Sequence, residues 1–404
     1  MLGKRLAAMA LVLFTVGAAQ SVATATYGGG ADLTVFAGTG TAGSAGDGGP
    51  ASKASLGGPG GVAVAHDGTV YICDTANHTV RKVTPAGVIS TVAGTGRAGN
   101  PGRSLPADAK GPAVDLSLPQ SLAVGGDGTV YIADVGMYRV FSLTTDGTLS
   151  VLAGNGDRGS SGDGGPATDA TLTKPVGLAV APDGTVYIGD TDARLVRAVS
   201  SSGVIRTVAG NGDEQLSAAG GDPTAVPVPY PSSLATDRHG ALWIADGLAV
   251  QRLSGGTLTT VALPGRPATP GKPTSWRLSS DPSWPPADPP LTNITAVATD
   301  RDGVYAVDGS RDMMLRLGPT HSLESVAGFA SHDPNVTQLA AGQSGSLYLA
   351  DPVHNQVYRV RPAVAHGATD QESGTPWWPF AIAAVVALAL LAGLVVVLRR
   401  RRAG

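Results

Sequence analysis

Residues Pro59 to Gly94 hold four short runs rich in β-branched residues, Val62–Val64, Thr69–Cys73, Thr79–Val83 and Val88–Val92. They are separated by Asp67-Gly68, the polar segment Thr75–His78 and Pro85-Ala86-Gly87. Runs of this length between clusters of Gly, Asn, Asp and Pro read as strands joined by tight turns. A single sheet of this kind cannot bury both its faces, and the chain answers by repeating it. The first hairpin glycine recurs as Gly68, Gly128, Gly184, Gly240, Gly303 and Gly345. Four residues ahead of each stand Val64, Val124, Val180, Thr236, Thr299 and Ala341. Downstream come YICD, YIAD, YIGD, WIAD, YAVD and YLAD, ending at Asp74, Asp134, Asp190, Asp246, Asp308 and Asp351. Six copies of one supersecondary unit predict an all-β fold built by radial or stacked repetition.

The two ends of the repeat array discriminate between those architectures. Leu33–Ala37 has the pattern of a fourth strand, as at Ile89–Ala93, Leu149–Ala153, Ile205–Ala209 and Leu323–Ala327, yet no earlier strands of its own precede it. The sixth unit stops after its third strand, Val357–Val360. An N-terminal strand that completes the last sheet closes a ring and leaves no free edge, so the expectation is a closed six-bladed β-propeller.

The recurring D-G-x-[VL]-Y-[IL]-A-D-x-x-N-x-x-[VI]-x-[RK]-[VL] pattern resembles the NHL-repeat family of β-propellers from about Leu33 to Pro362. The segments between units carry a second motif. Ala37-Gly38-Thr39-Gly40 leads to Gly46-Asp47-Gly48-Gly49-Pro50-Ala51, and Ala153-Gly154-Asn155-Gly156 leads to Gly162-Asp163-Gly164-Gly165-Pro166-Ala167, with degraded versions after Thr95 and Asn211. This form is similar to the extended NHL-type repeats of large cell-surface proteins such as the teneurins. Glycine-rich backbone can form anion nests, but no Lys-Ser/Thr follows and no Rossmann-type unit surrounds these segments. Asp47 and Asp163 lack the several oxygen neighbours calcium requires. The glycines are therefore read as permitting unusual backbone conformations in a structural crossover. Up-and-down strand order places the second-to-third turns and the long crossovers on one face of the disk, so the elaboration, and with it recognition, is expected there.

Composition limits partners more than fold. The 404-residue chain carries a formal net charge of −3 and no long basic run within its globular part, which excludes a nucleic-acid electrostatic footprint. The lone cysteine, Cys73, cannot form an internal disulfide and sits in a strand pattern as a small buried thiol. Residues 1–25 read as a secretory signal: Lys4 and Arg5, then the apolar run Leu6–Ala18, then Ala23-Thr24-Ala25. The propeller is assigned to 26–362 and a flexible stalk to 363–376. Phe380–Leu398 is uninterruptedly apolar or glycine, bordered by Trp377 and Trp378 on one side and by Arg399, Arg400, Arg401 and Arg402 on the other. Span 377–398 is therefore expected to be a membrane-crossing helix, with the basic tail 399–404 inside the cell.

The leading residues of the innermost strands line a propeller's channel. Here they are Gly60-Gly61, Gln120-Ser121, Val176-Gly177, Ser232-Ser233, Thr295-Ala296 and Thr337-Gln338, all small or polar and uncharged. Six of the seven histidines scatter over blades and faces, with His78 and His354 read as occupying equivalent turns. No G-x-S-x-G or H-E-x-x-H motif occurs. The six repeated aspartates are assigned structural roles as acceptors for turn amides. The sequons at Asn77, Asn293 and Asn335 overlap repeat positions and are read as chance. No catalytic, cofactor-binding or metal-binding residue is assigned.

The proline-rich crossover from Pro264 to Pro290 carries Trp276 and Trp284, candidate anchors for a partner. The sequence thus points to a propeller held outside the cell by a single-pass membrane helix, binding a protein, glycan or envelope ligand. The resemblance leaves one alternative: NHL-type and related six-bladed propellers include metal-assisted lyases and lactonases.

Overall fold

The computed structural model describes residues 25–26, 32–106, 108–214, 221–262, 276–277, 293–301, 303–309, 313–317, 322–328, 336–342 and 345–361. All lie in a compact unit spanning Met1–Ala363, apart from Val364–Gly404. Five of the repeats each supply four sequential antiparallel strands to one sheet and the sixth supplies three; the six sheets are the blades of a propeller, two of them with an additional outer strand. Blade 1 comprises Pro59–Val64, Val70–Asp74, Thr79–Val83 and Ile89–Ala93 from the channel outward. Blade 2 begins at Pro119, blade 3 at Pro175, blade 4 at Ser233, blade 5 at Ile294 and blade 6 at Gln338.

The N-terminal segment closes the ring as expected. Asp32–Ala37 pairs with Gln356–Arg361 as the fourth strand of blade 6, with Leu33 opposite Val360 and Val35 opposite Tyr358. Phe36 then meets Tyr348 edge to face at 4.9 Å between ring centres, so closure also adds an aromatic contact. Ala25–Thr26 extends the same sheet outward by pairing with Leu33 and Asp32.

Burial follows the period of the strands. Among the described residues, six apolar clusters form, each between two neighbouring blades. The cluster between blades 1 and 2, for example, contains Cys73, Val80, Leu122, Ile132 and Phe141. No blade has its own core; each supplies half of two, which is the physical reason a unit of this size must be repeated. Cys73 is fully buried there, and burial pushes its thiol well above the ordinary range, so it is inert.

The crossovers correct one expectation: their elaboration is not confined to one face. The crossovers into blades 1 to 4 run along the outer edge of the following blade towards the turn on the opposite side. In blade 1, Gly48 N donates to Ile89 O (2.8 Å), Ile89 N to Gly49 O (3.0 Å) and Ala51 N to Gly87 O (2.9 Å). Blade 3 repeats this with Gly164, Gly165 and Ala167 against Ile205 and Gly203, and blade 4 with Gly221 against Leu258. The cause is the edge itself. A fourth strand leaves a row of unpaired amides and carbonyls, and the crossover backbone caps it. In blade 5, Trp276–Arg277 pairs outside Ser322–Gly328 instead, so two residues of the proline-rich segment join a sheet.

No helix among the described residues is long and apolar enough to cross a membrane. The expected signal (nearly all of 1–25), stalk, span, Trp377, Trp378 and the arginines 399–402 lie outside the described residues, as does Trp284.

Candidate functional site

The end of every second strand is anchored by its aspartate. Asp74, Asp134, Asp190, Asp246, Asp308 and Asp351 are all buried. Asp134 accepts from Met137 N (3.1 Å) in the following turn, and reaches back to Ser117 N (2.7 Å) and Leu118 N (2.8 Å) of the preceding crossover. Asp190 holds Thr173 N and Lys174 N in the same way, and Asp74 holds Gly57 N at 2.5 Å. These carboxylates therefore fix the crossover to the blade at the rim of the channel. Burial raises the pKa of Asp74, Asp134 and Asp190, against the hydrogen bonds that lower it.

Asp246 departs from this pattern. Its Oδ1 accepts from Leu248 N (3.0 Å) and Ala249 N (2.6 Å), but Oδ2 is buried without a partner. The position that supplies Gly57 N, Ser117 N and Thr173 N elsewhere is Pro229 here, which has no N–H. Burial pushes Asp246 up to about 6.

In blade 1 a third-strand arginine joins the aspartate to the crossover, and in blade 3 the equivalent arginine holds the crossover alone. Arg81 is 1% exposed; its Nη1 donates to Asp74 (3.2 Å), while Nε (3.0 Å) and Nη2 (2.5 Å) donate to Asp47. The other Asp47 oxygen accepts from Thr91 N at 2.9 Å. Arg197 binds Asp163 through Nη2 (2.5 Å), and Thr207 N completes that carboxylate at 2.9 Å. Burial opposes ionisation of Asp47 and Asp163, but hydrogen bonds from Thr91 and Thr207 with the arginine charges outweigh it and lower both pKa values. The GDGGPA motif is thus an acceptor for a buried guanidinium. Its first glycine is required by space: a Cβ on Gly46 would lie 2.6 Å from Ala54 Cα.

The innermost strands meet at a cavity of about 430 Å³ on the face where second strands end. Every blade contributes to it. Gly60, Gln120, Ser121, Val176, Ser232, Thr295, Thr337 and Gln338 come from the strand leaders named by sequence. Thr191, Tyr230, Gly247, Leu248 and Asn293 were not, because they lie in turns and crossovers whose convergence only closure creates. No lining side chain is charged. Gln338 forms the floor, accepting from Val62 N (2.8 Å) and donating to Ser121 Oγ (2.5 Å), so one amide ties blades 6, 1 and 2. Thr337 Oγ1 donates to Gly60 O (2.7 Å). Around the same face three large apolar side chains remain exposed: Leu118 (42%), Tyr230 (44%) and Val353 (55%).

The described histidines are not brought together. His78 Nδ1 contacts Ser117 O, His354 Nδ1 meets Asp351 Oδ2 at 2.8 Å, and His239 Nε2 accepts from Arg238 Nε. His78 and His354 are also not equivalent. Left-handed φ values at His78, Tyr138, Arg194 and Asn355 set the register of the turns, which aligns His78 with Asn355. Among the described residues, no three His, Cys, Asp or Glu side chains group so as to hold a metal ion. Trp276 lies at the outer edge of blade 5, away from the channel strands.

Residues 32–110 and 148–225 match the Teneurin NHL domain. Both segments contain a GDGGPA crossover and the arginine that receives it. Mouse Teneurin-4 is 23% identical over 299 residues, covering 65% of this chain and 10% of its own length. Mouse Teneurin-3 is 32% identical over 151 residues, 34% of this chain and 6% of its own. The chain thus spans about a tenth or less of these relatives. Among solved structures, a Bacteroides thetaiotaomicron protein of unknown function superposes with a TM-score of 0.54 at 12% identity, covering 82% of this chain and 76% of its own. A Xanthomonas campestris gluconolactonase gives 0.51 at 13%, covering 84% and 92%. At those identities the likeness is one of fold.

Proposed function

The chain being an NHL-repeat β-propeller of six blades, we propose that it is a binding scaffold whose recognition face surrounds the channel mouth. The observation that carries this reading is the combination on that face of an uncharged, polar cavity with exposed Leu118, Tyr230 and Val353. Apolar side chains left in water around a concavity mark a surface that is covered by something else. Rigid blades fixed by buried aspartates hold that surface in one shape, which lowers the ordering cost of binding. The similarity to teneurin NHL domains supports an interaction role.

The proposal includes placement: secretion by residues 1–25, and retention at the cell membrane by 377–398 with the propeller outside. Trp377, Trp378 and Arg399–Arg402 are the proposed borders of that span. The test is cell-surface protease treatment with binding measured before and after. Intact cells should lose the propeller and lose capture of their envelope ligand, and Leu118→Ser with Val353→Ser should weaken capture while the fold persists. Protection of the propeller in intact cells would refute the placement, and undiminished capture by the double variant would refute the face.

The alternative, a lyase or lactonase, has one observation in its favour: Asp246, a carboxyl with a raised pKa and a free oxygen beside the cavity. Among the described residues lining the cavity, no carboxyl or histidine stands beside Asp246 to complete an acid–base pair. Elemental analysis of the purified chain together with a lactone-hydrolysis screen distinguishes the readings.

A further inference from the structure

The channel-mouth cavity differs from the rest of the face in what it offers a ligand. Nine of its lining side chains are hydroxyls or amides: Gln120, Ser121, Thr191, Tyr230, Ser232, Asn293, Thr295, Thr337 and Gln338. Several are committed to the protein. Thr337 and Gln338 join blades, Thr191 Oγ1 reaches Pro231 O at 3.5 Å, and Ser232 Oγ reaches Ala245 O at 3.4 Å. Gln120, Tyr230 and Asn293 are the groups left to meet an occupant. Tyr230 is backed by bare backbone: a Cβ on Gly247 would lie 3.3 Å from its Cβ and 3.5 Å from Cδ2. The ring is therefore supported on one side and 44% exposed.

An aromatic platform next to amides and hydroxyls, with no charge, is complementary to a flat ring that carries both C–H faces and hydroxyl edges. Resting on the binding-scaffold reading, we propose that this cavity is a sugar subsite that takes an uncharged hexose unit of a glycan. The sugar face stacks on Tyr230, and its hydroxyls exchange hydrogen bonds with Gln120 and Asn293. An acidic sugar is disfavoured because no cationic side chain lines the cavity to replace the water its carboxylate would lose.

The test is calorimetric titration of the full chain, solubilised in detergent, with neutral disaccharides of glucose, galactose, mannose and N-acetylglucosamine, and with glucuronate-containing disaccharides. At least one neutral disaccharide should bind. Tyr230→Ala should weaken it about tenfold, while Tyr230→Phe stays within about threefold of the parent. Asn293→Ala, at an exposed position, should also weaken binding without changing unfolding. No binding of any neutral disaccharide overturns the proposal, as do tighter binding of the acidic sugars and indifference to Tyr230→Ala. If sugars fail but envelope capture still depends on Leu118 and Val353, the scaffold reading stands and the sugar subsite does not.

Discussion

Blades 1 and 2 follow one another, share a cluster of apolar residues and solve the same problem by opposite means. At the third position of the third strand, blade 1 buries Arg81 and blade 2 buries Phe141. The crossover that caps blade 1 carries Asp47 for the arginine. The crossover that caps blade 2 makes the equivalent edge bonds through Ala109 and Gly111, and its sequence has Ala107 where the aspartate would stand. Asp108 even adopts the left-handed φ of Gly48, 58° against 81°. The edge-capping path survives although the ion pair does not. Hence the crossover's geometry comes from backbone pairing, and the guanidinium and the aspartate stand or fall together. Blade 3 keeps both, as Arg197 and Asp163; blade 4 has Gln251 at that position.

The largest expected effect comes from removing the arginine alone. Arg81→Ala leaves Asp74 buried beside a cavity and should cost about 3 to 5 kcal/mol by denaturant unfolding. Arg197→Ala should cost less, because Nε and Nη1 of Arg197 already lack partners while Arg81 bonds through all three nitrogens. Equal losses at the two sites would contradict the clamp.

Next in size is Asp246, where blade 4 lacks both an arginine and the crossover amide. Its folded pKa of about 6 lies above the unfolded carboxyl value near 3.8. Between those values the native state holds a proton the unfolded chain has released, so this group makes stability fall as pH rises from about 4 to about 6. The full penalty at neutral pH is on the order of 3 kcal/mol. Asp246→Asn keeps the acceptor for Leu248 and Ala249 and should stabilise the fold at pH 7 by up to that amount. The gain should vanish near pH 4; a gain independent of pH would contradict the assignment.

Asp47→Ala should cost about 1 to 2 kcal/mol, since that side chain is 46% exposed and only its bonds to Arg81 and Thr91 are lost. The smallest effect is expected from the transplant. Arg81→Phe combined with Asp47→Ala carries the apolar solution of blade 2 into blade 1 and, with Asp74→Asn removing the carboxylate left without its arginine, should unfold within about 1 kcal/mol of the parent. A loss as large as that of Arg81→Ala would mean the apolar solution depends on blade 2 alone.

The sequence was strong on what repeats and weak on what converges. Hairpin glycines, strand runs and terminal aspartates gave blade number, strand order and the closing role of Leu33–Ala37, because each is a local signal stated six times. Gln120-Ser121 and Thr337-Gln338 were legible as channel lining from their place at the start of the first strands. Tyr230, Gly247 and Asn293 were not, since nothing local distinguishes a crossover residue that faces the channel from one that faces water. The one-residue offset between His78 and His354 needed backbone φ, which similar letters in a turn do not reveal.

What the sequence determined by itself is therefore the unit, its number and its closure, because hydrophobic period and turn chemistry act over a few residues. The tertiary structure alone decided three things. Crossovers cap outer edges because a fourth strand must satisfy its amides; the GDGGPA aspartate exists for an arginine 34 residues further on. Asp246 is left half-unsatisfied because Pro229, 17 residues before it in the chain, has no N–H to give. Each depends on groups brought together by ring closure, and the distance along the chain at which they meet carries no local signal.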